Sequence, residues 1–459
     1  MGKKIRAKKY LLILISILFL LIFVKFLVLF HTIKVHPERI WEPDSITYHN
    51  PALSLLEYGK FSVSLNHPDL PETIRTPGYP LFMAFIYYLF GVKPWVVILF
   101  QILLSTLTVI MVFDLGKRLV SPSVGFIASI FLLLDPVSFY YSEVLLTETL
   151  FTFLITLTIW SSSFLFLYKN SNQKPRLIWA IVAGISLAFA TLTRPISYYL
   201  IFFVLLFFII WLKKRAFGIR FSILIFMAIM LPSLIFVGGW QFRNFKISGS
   251  YELSNIKGYN ILFYTGAYII AQRDGIPFVK AQRDLKKIYG VKSGLTEPET
   301  FKKWEKIGIK IIKNNPFIYF KSFIKGVIGF FKPGTRELID FFFPSYFKDV
   351  SILKDFKRLT FKNFLKKYFG LRDRFLFFSL LIESFYLFLL YLLFLIGVVV
   401  SLNKRNFLAV HLFILGLFLY FVIISAMGLS CYCRFRMPVV PIIALYAGIG
   451  LNNLIRQKS

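Results

Sequence analysis

The sequence predicts an all-α protein that crosses a membrane many times. Of its 459 residues, 57% are hydrophobic and 19% are aromatic, and 55 are Phe. The mean hydropathy is +0.69, whereas soluble domains contain only about 45 to 50% apolar residues. Apolar segments near the roughly 20 residues needed to cross a bilayer recur along the chain. These observations exclude a soluble enzyme and predict about ten transmembrane helices.

The ten predicted spans follow one another along the chain, with two long interruptions. They lie at residues 10–31, 95–116, 122–139, 148–168, 176–193, 196–212, 219–239, 375–401, 407–428 and 437–455. Short clusters of Lys and Arg then fall on one side of the membrane, at residues 1–10, 116–118, 168–176, 213–220, 403–405 and 456–458. Such clusters mark the cytoplasmic side. We therefore expect a multi-pass protein of the cytoplasmic (inner) membrane with both termini in the cytoplasm.

The two interruptions divide the chain into three parts. Residues 1–239 are predicted to form an N-terminal membrane module, whose first outer loop covers residues 32–94. Residues 240–374 form a large extracytoplasmic loop, and residues 375–459 form the C-terminal membrane helices. The first apolar run lacks a small-residue cleavage site, so we interpret it as a retained anchor rather than a signal peptide.

Each outer loop contains segments with a distinct pattern. Residues 76–91 are apolar but too short to span, which predicts a helix lying in the outer interface. Glycines punctuate residues 240–266, which predicts a turn-rich segment of mixed structure and leaves a strand open there. Within residues 301–331, Pro316 separates two amphipathic stretches that predict surface helices.

The chain is strongly basic. Its formal net charge is +32, from 54 Lys plus Arg against 22 Asp plus Glu. Basic residues near a membrane attract anionic lipid head groups, so membrane lipids are expected partners. A nucleic-acid partner is not expected on the outer face.

A further set of ionisable residues lies at the outer ends of the predicted spans. Such groups cost several kcal/mol at a membrane boundary unless they are paired, hydrated or bound to a ligand. Their convergence predicts a functional cavity, while ordinary interfacial charges and helix-to-helix ion pairs remain the alternative. The set comprises Glu42, Asp44, Arg75, Glu143, Glu148, Arg194, Arg243, Arg434 and Arg436.

The residue types suggest a chemistry. Guanidinium groups stay charged and offer a planar donor fork that can bind a phosphate or diphosphate bidentately. A carboxylate can take the proton of an attacking hydroxyl. Arginines and acids together at a membrane boundary therefore predict group transfer from a phospholipid-like donor, with a sugar as the natural group to move.

Six motifs carry a resemblance to a known family. They are EPDSITYHNPALSLLEYGKFS at 42–62, TIRTPGYPLFMAFIYYLFG at 73–91, SEVLLTETLF at 142–151, AGISLAFATLTRP at 183–195, WQFRNFKISGSYELSNIKGYN at 240–260 and RFRMPVVP at 434–441. In this order they resemble bacterial GT-C glycosyltransferases of family 39 type, relatives of the protein O-mannosyltransferases and the lipid A aminoarabinose transferases. Residues 335–372 have no counterpart in the resemblance.

The resemblance implies a GT-C-like fold and a function. Such enzymes transfer a hexose or pentose from a polyprenyl-phosphate donor to an acceptor hydroxyl or phosphate outside the cytoplasm, with inversion at the anomeric carbon. The acceptor is a lipid, a glycan or a protein, and glycosylation of this kind serves the cell envelope.

The resemblance also assigns roles to residues. Asp44 matches the aspartate of the first outer loop and is expected to act as general base or to orient the acceptor. The family often has a second acid beside it, but here Pro43 and Ser45 flank it, so Glu42 is a supporting residue only. Glu143 and Glu148 match the catalytic acidic positions of the second outer loop, although Glu148 also opens a helix, where the dipole favours a carboxylate.

The arginines are expected to hold the donor phosphate. The expected phosphate-binding residues are Arg194, Arg434, Arg436 and Arg75, and Arg243 is expected to support the site or to brace the large loop.

No cofactor is expected, although a divalent metal stays open. His49 and His67 could join Asp44 or Glu42 as ligands, but no HExxH spacing is present. Cys431 and Cys433 receive no role.

Two other classes of protein remain as alternatives. A lipid-linked glycan transporter or flippase would carry charges deep in its spans, and Glu383 within the eighth span is the best sign of one. A non-catalytic envelope assembly factor predicts that Asp44→Asn leaves biological activity intact.

Overall fold

The computed structural model describes residues 2–167, 177–215, 218–290, 298–342, 371–403, 407–428 and 432–458. The described residues form helices joined by turns and loops, without a β-strand among them. The N-terminal part contains α1 (Gly2–Val35), α2 (Ile46–Tyr58), α3 (Gly78–Phe90), α4 (Pro94–Leu119), α5 (Pro122–Leu133), α6 (Pro136–Ser142), α7 (Glu148–Phe166), α8 (Leu177–Thr193), α9 (Leu200–Arg215) and α10 (Ile219–Pro232).

The remaining helices follow in the same order. They are α11 (Gly238–Ser248), α12 (Ile256–Tyr259), α13 (Ala267–Arg273), α14 (Phe278–Tyr289), α15 (Pro298–Asn314), α16 (Pro316–Phe330), α17 (Thr335–Phe342), α18 (Leu371–Asn403), α19 (Leu408–Ala426) and α20 (Val440–Lys458). Two π-helical segments, Ser233–Val237 and Asn260–Gly266, connect α10 to α11 and α12 to α13. The described residues also contain three 3₁₀ segments: Pro37–Ile40, Pro195–Ser197 between α8 and α9, and Cys433–Val439 before α20.

All ten predicted spans coincide with helices, which confirms an all-α membrane fold. Within the described ranges, eight helices are long and apolar enough to cross a membrane. A ninth arises if α5 and α6, which are bent by 64° relative to each other, form one span. The one predicted span not yet accounted for, at residues 176–193, corresponds to α8, which is apolar but has only 17 residues.

Proline and helix packing fix where the elements begin and how closely they approach. Pro94, Pro122, Pro136 and Pro316 stand in the first turn of their helices, where the missing N–H has no intrahelical acceptor to lose. Helices α18 and α20 touch through Gly397, where a Cβ would lie 1.8 Å from the Tyr446 carbonyl oxygen. Only glycine permits such an approach.

The described part of the large outer loop consists of helices joined by turns and contains no β-strand. Residues 240–266, for which the sequence left a strand open, lie mostly in α11, α12 and a π-helical segment. Gly249, with φ of +65°, ends α11 in the left-handed conformation instead of starting a strand turn. The two amphipathic helices on either side of Pro316 are confirmed as α15 and α16. Residues 343–370, most of the stretch without a family counterpart, lie outside the described residues.

The helix α17 is anchored to the membrane bundle by Glu383 of α18. The Glu383 carboxylate accepts the backbone N–H groups of Gly334 at 2.8 Å and Thr335 at 2.7 Å. A carboxylate at a helix N-terminus satisfies otherwise unpaired donors and complements the dipole. The buried charge that favoured a transporter therefore caps a loop helix.

Candidate active site

Five charged side chains from distant parts of the sequence form one chain of ion pairs. Asp44 Oδ1 accepts a hydrogen bond from Arg75 Nη2 at 2.8 Å, and Asp44 Oδ2 accepts one from Arg434 Nη1 at 3.2 Å. Arg434 also pairs through Nε with Glu148, whose Oε1 accepts a bond from Arg194 Nη1 at 2.7 Å. Arg434 thus joins the two acids, and the cluster has three guanidinium groups for two carboxylates.

The two acids of the cluster differ in exposure. The Glu148 side chain is 0% exposed, whereas the Asp44 side chain is 38% exposed. Glu148 is surrounded by its arginine partners and by the Thr147 hydroxyl, which donates to Oε2 at 3.3 Å. Asp44 alone can meet a ligand from solvent. The structure therefore gives Glu148 the place of an anchor for Arg194 and Arg434.

The segment Trp41–Ser45 is held rigidly against the loop that precedes α7. The Ser45 hydroxyl donates to the Leu145 carbonyl at 2.8 Å and accepts the Glu42 N–H at 2.8 Å. The Leu145 N–H in turn donates to the Ile40 carbonyl at 2.9 Å. These bonds connect the first and second outer loops, so Asp44 and Glu148 reach the same place.

Arg75 is positioned by its own loop and by α8. Its N–H donates to the Glu72 carboxylate at 3.0 Å, and its guanidinium lies 4.9 Å from the centre of the Tyr48 ring. Gly78 packs so closely on α8 that a Cβ would lie 2.6 Å from the backbone of Leu192. This approach brings Arg75 to the end of α8, next to Arg194.

Burial shifts the pKa values of groups around Arg75. Burial raises the pKa of the Glu72 carboxyl, although two backbone N–H groups oppose the shift. Burial also raises the pKa of the Tyr48 hydroxyl. Burial alone would lower the pKa of Arg75, but Tyr48 and Asp44 raise it overall. Arg75 is therefore a permanent cation beside a neutral phenol.

The cluster faces a cavity of about 610 Å³. Its polar wall contains Asp44, Arg75, Arg194 and Arg434, while the π-helical segment Asn260–Gly266 and the end of α19 close other sides. Apolar side chains complete the wall: Ile74, Ile196, Ile256, Ile424 and Phe435. We call this space the arginine cavity.

Two expected site residues lie outside the cluster. Glu143 is 1% exposed, neither carboxylate oxygen has a hydrogen-bond partner, and its electrostatic neighbour is Lys25 of α1. Arg436 is 1% exposed and donates to the Lys332 carbonyl at 2.9 Å and the Tyr391 hydroxyl at 2.8 Å. It also pairs with Asp135 at 3.4 Å. Each of the two residues is buried against a different part of the bundle, apart from the cluster, and their expected roles in the site stay predictions.

The two supporting residues have separate positions. The Glu42 carboxylate accepts a hydrogen bond from the Tyr140 hydroxyl and faces a neighbouring cavity rather than Asp44. Arg243 Nη1 donates to the Glu72 carbonyl at 2.7 Å. Arg243, which belongs to the large outer loop and also donates to Asn244 Oδ1 at 2.9 Å, therefore connects that loop to the first outer loop.

His49 packs among aromatic side chains. His49 Nδ1 lies 2.9 Å from the Tyr87 hydroxyl, and its ring packs edge-on against Trp41. Burial lowers the pKa of His49, which favours the neutral ring. Across the described ranges, no group of three His, Cys, Asp or Glu side chains is arranged to hold a metal ion. Metal independence stays a prediction.

The sequence argument missed three neighbours of the cluster: Tyr48, Glu72 and Tyr432. Tyr48 lies one helical turn after Asp44, and Glu72 lies three residues before Arg75, so their spacing was the available signal. Tyr432 has no such signal, because its contacts come from the path of the chain before α20.

A family model and several solved structures resemble the chain. Residues 67–238 match the family described as dolichyl-phosphate-mannose-protein mannosyltransferase. For that part of the chain the match confirms the resemblance to glycosyltransferases of the GT-C type. No curated protein matches the chain.

Solved structures similar to the chain include two of ArnT from Cupriavidus metallidurans. The apo structure is 13% identical with a TM-score of 0.39, covering 96% of this chain and 78% of that one. The structure bound to undecaprenyl phosphate is 14% identical with a TM-score of 0.39, covering 97% and 78%. The apo oligosaccharyltransferase of Archaeoglobus fulgidus is 11% identical with a TM-score of 0.48, covering 97% and 51%.

Proposed function

We propose that the protein is a membrane glycosyltransferase that moves a sugar from a polyprenyl-phosphate donor to an acceptor hydroxyl, with inversion. The main support for this proposal is the arginine cavity, in which three guanidinium groups and one partly exposed carboxylate share a wall with apolar side chains. The family match over residues 67–238 supports the same chemistry.

The donor phosphate fits among Arg75, Arg194 and Arg434. The wall they form carries three positive charges and a single negative charge, that of Asp44. Glu148 lies behind the wall and does not line the cavity. An incoming phosphate supplies the missing negative charge, and guanidinium groups bind it bidentately. The isoleucine side of the cavity suits the start of the isoprenoid tail.

Asp44 is the group to receive the acceptor proton. In the transfer step the acceptor oxygen forms a bond to the anomeric carbon, and the bond from that carbon to the phosphate oxygen breaks. The electron pair of the broken bond leaves with the polyprenyl phosphate, which the arginines stabilise, and the acceptor proton goes to Asp44. Attack from the face opposite the phosphate inverts the anomeric carbon.

The proposal extends to orientation and organisation. The cavity opens on the outer side of a cytoplasmic membrane, with both termini inside, as the Lys and Arg distribution indicates. Residues 1–239 carry the donor site, residues 240–374 close it, and residues 375–459 complete the bundle. No metal or other cofactor takes part, and the transferred sugar is a hexose or a pentose.

The test uses purified protein and radiolabelled undecaprenyl-phosphate hexoses and pentoses. Asp44→Asn should bind undecaprenyl phosphate but transfer label at a much lower rate, since it lacks the proton acceptor. Arg194→Ala should bind undecaprenyl phosphate weakly. The matched controls are Asp69→Asn, an exposed acid of the same loop, and Arg273→Ala, an exposed arginine paired with Asp274.

The same experiment separates the other classes of protein. Full label transfer by both variants contradicts the assigned site. Binding of undecaprenyl phosphate without any transfer favours a transporter or an assembly factor. The transporter has lost its main structural support, because Glu383 serves as a helix cap.

A further inference from the structure

A second cavity of about 340 Å³ lies next to the arginine cavity. The two share Tyr432 and Arg434 in their walls. Glu42 lines the second cavity, whereas Asp44, two residues later, lines the first. The short segment between these acids therefore separates two spaces that meet at the same arginine.

Two carboxylates of the second cavity are held by hydroxyl and thiol donors. Glu42 accepts from the Tyr140 hydroxyl, and Glu337 Oε2 accepts from the Tyr141 hydroxyl at 2.9 Å. Glu337 Oε1 lies 3.2 Å from Cys433 Sγ. Among the side chains that the structure describes, neither acid has a guanidinium partner within ion-pair distance, so their remaining lone pairs can accept from a ligand.

The charge of the second cavity differs from that of the first. Its wall contains Arg39 and Arg434 against Glu42 and Glu337, which is formally neutral. A phosphate there would face two carboxylates, and like charges repel. Hydroxyl groups suit the wall, because they can donate to the carboxylates of Glu42 and Glu337 and accept from the guanidinium groups of Arg39 and Arg434.

The other walls are aromatic. They are formed by Trp41, Tyr140, Tyr141, Phe341 and Tyr432. Aromatic faces carry negative charge density and attract the weakly positive C–H faces of a sugar ring. Flat apolar faces combined with a few carboxylates match an uncharged saccharide, which has both C–H faces and hydroxyl edges.

We propose that the second cavity is the acceptor site and that it takes an uncharged saccharide, whose hydroxyls donate to Glu42 and Glu337. The assignment of an acceptor rests on the proposed transferase function. The shared wall at Arg434 places the reacting hydroxyl between the second cavity and Asp44. Glu42 and Glu337 orient the saccharide, and Asp44 receives the proton.

Glu337 belongs to a part of the chain without a counterpart in the resemblance. It sits in the first turn of α17, which Glu383 anchors to α18. Glu383 is therefore a positioning residue for the saccharide site.

The experiment measures retention of the purified full-length protein on immobilised saccharides. The probes are neutral manno- and gluco-oligosaccharides, the same oligosaccharides carrying a phosphate, and a peptide rich in Ser and Thr. The variants are Glu337→Gln, Glu42→Gln and Glu383→Gln, with Glu57→Gln of α2 as an exposed matched control. Binding of undecaprenyl phosphate is measured for each protein as a check of folding and of the arginine cavity.

We expect a neutral oligosaccharide to retain the parent protein and the Glu57→Gln control. Glu337→Gln and Glu42→Gln should weaken retention by about tenfold or more, since each loses a charge-assisted hydrogen bond. Both should still bind undecaprenyl phosphate. Glu383→Gln should weaken retention, because it loosens the cap that holds α17 in place. It should change the binding of undecaprenyl phosphate little.

The outcomes that overturn the proposal are distinct from failure of the proposed function. Retention only by the phosphorylated saccharide or the peptide, retention by no probe, or retention unchanged in both Glu337→Gln and Glu42→Gln each refutes the saccharide site. If the parent binds the saccharide but never undecaprenyl phosphate, the transferase function fails while the saccharide site stands.

Discussion

Replacing Glu148 by Gln removes the one negative charge that pairs with both Arg194 and Arg434, while keeping the size of the side chain. In the parent protein Glu148 is 0% exposed and pairs with both Arg194 and Arg434, whose side chains are 15% and 16% exposed. Loss of one member of a fully buried ion pair costs about 3 to 5 kcal/mol. The partial exposure of the arginines and the second partner of Arg434 reduce this to roughly 1 to 3 kcal/mol.

The same change should have the opposite effect on ligand stabilisation. A bound phosphate stabilises only the folded protein, by an amount that grows with its affinity. In Glu148→Gln the wall has the same arginines with less negative charge behind them, so undecaprenyl phosphate should restore much of the lost stability. The variant should therefore unfold at a lower temperature when free and gain more from the lipid than the parent does.

The assay is thermal unfolding in detergent at several concentrations of undecaprenyl phosphate, with farnesol as the uncharged control lipid. Asp69→Asn supplies a matched loss of an exposed acid and should resemble the parent. Equal stability of the free variant and the parent, together with weaker gain from the lipid, would refute the reasoning. It would mean that Glu148 does not hold the arginines for a phosphate.

Three further predictions concern groups around the two cavities. Arg436→Met should lower the stability of the protein by about 3 kcal/mol because it leaves Asp135 buried without its partner; donor affinity of the surviving folded fraction, measured with undecaprenyl phosphate, should change little. Burial raises the pKa of Glu337 above its ordinary value of 4.5, so its carboxylate form is lost at a higher pH than that of an exposed glutamate; saccharide retention should fall as the pH drops through this raised pKa, and a flat profile in the parent would contradict the role of Glu337. Prolonged dialysis against EDTA should leave label transfer unchanged, and restoration by an added divalent cation after loss would show a metal requirement.

Much of the fold follows from hydropathy alone, because a membrane span needs a long apolar segment and all ten segments are helical. The meeting of Asp44, Arg75, Glu148, Arg194 and Arg434 also follows from topology, since consecutive spans return their ends to the same face. The topology predicts on which side of the membrane a residue lies, but it does not predict the direction in which its side chain points.

The direction of the side chains explains why Glu143 and Arg436 lie outside the cluster. Arg434 and Arg436 lie two positions apart in a 3₁₀ segment, where three residues make a turn, so their side chains point to different sides. Glu143 and Glu148 are separated by a loop whose conformation depends on bonds to Ile40 and Ser45 of the first outer loop. Such long-range bonds are invisible in the local sequence. The sequence left a strand open in residues 240–266, but none forms there. Gly249 ends the helix α11 in the left-handed conformation, a role that a glycine shares with turns between strands.

The double position of Arg434 has a thermodynamic consequence. A phosphate that draws this guanidinium away from Asp44 also changes the surface presented to whatever occupies the adjoining space. If occupancy of one side alters affinity on the other by some factor, the reverse effect must have the same factor. The order in which the two ligands arrive is then a matter of kinetics alone, and a single titration performed in both directions measures how strongly they are linked.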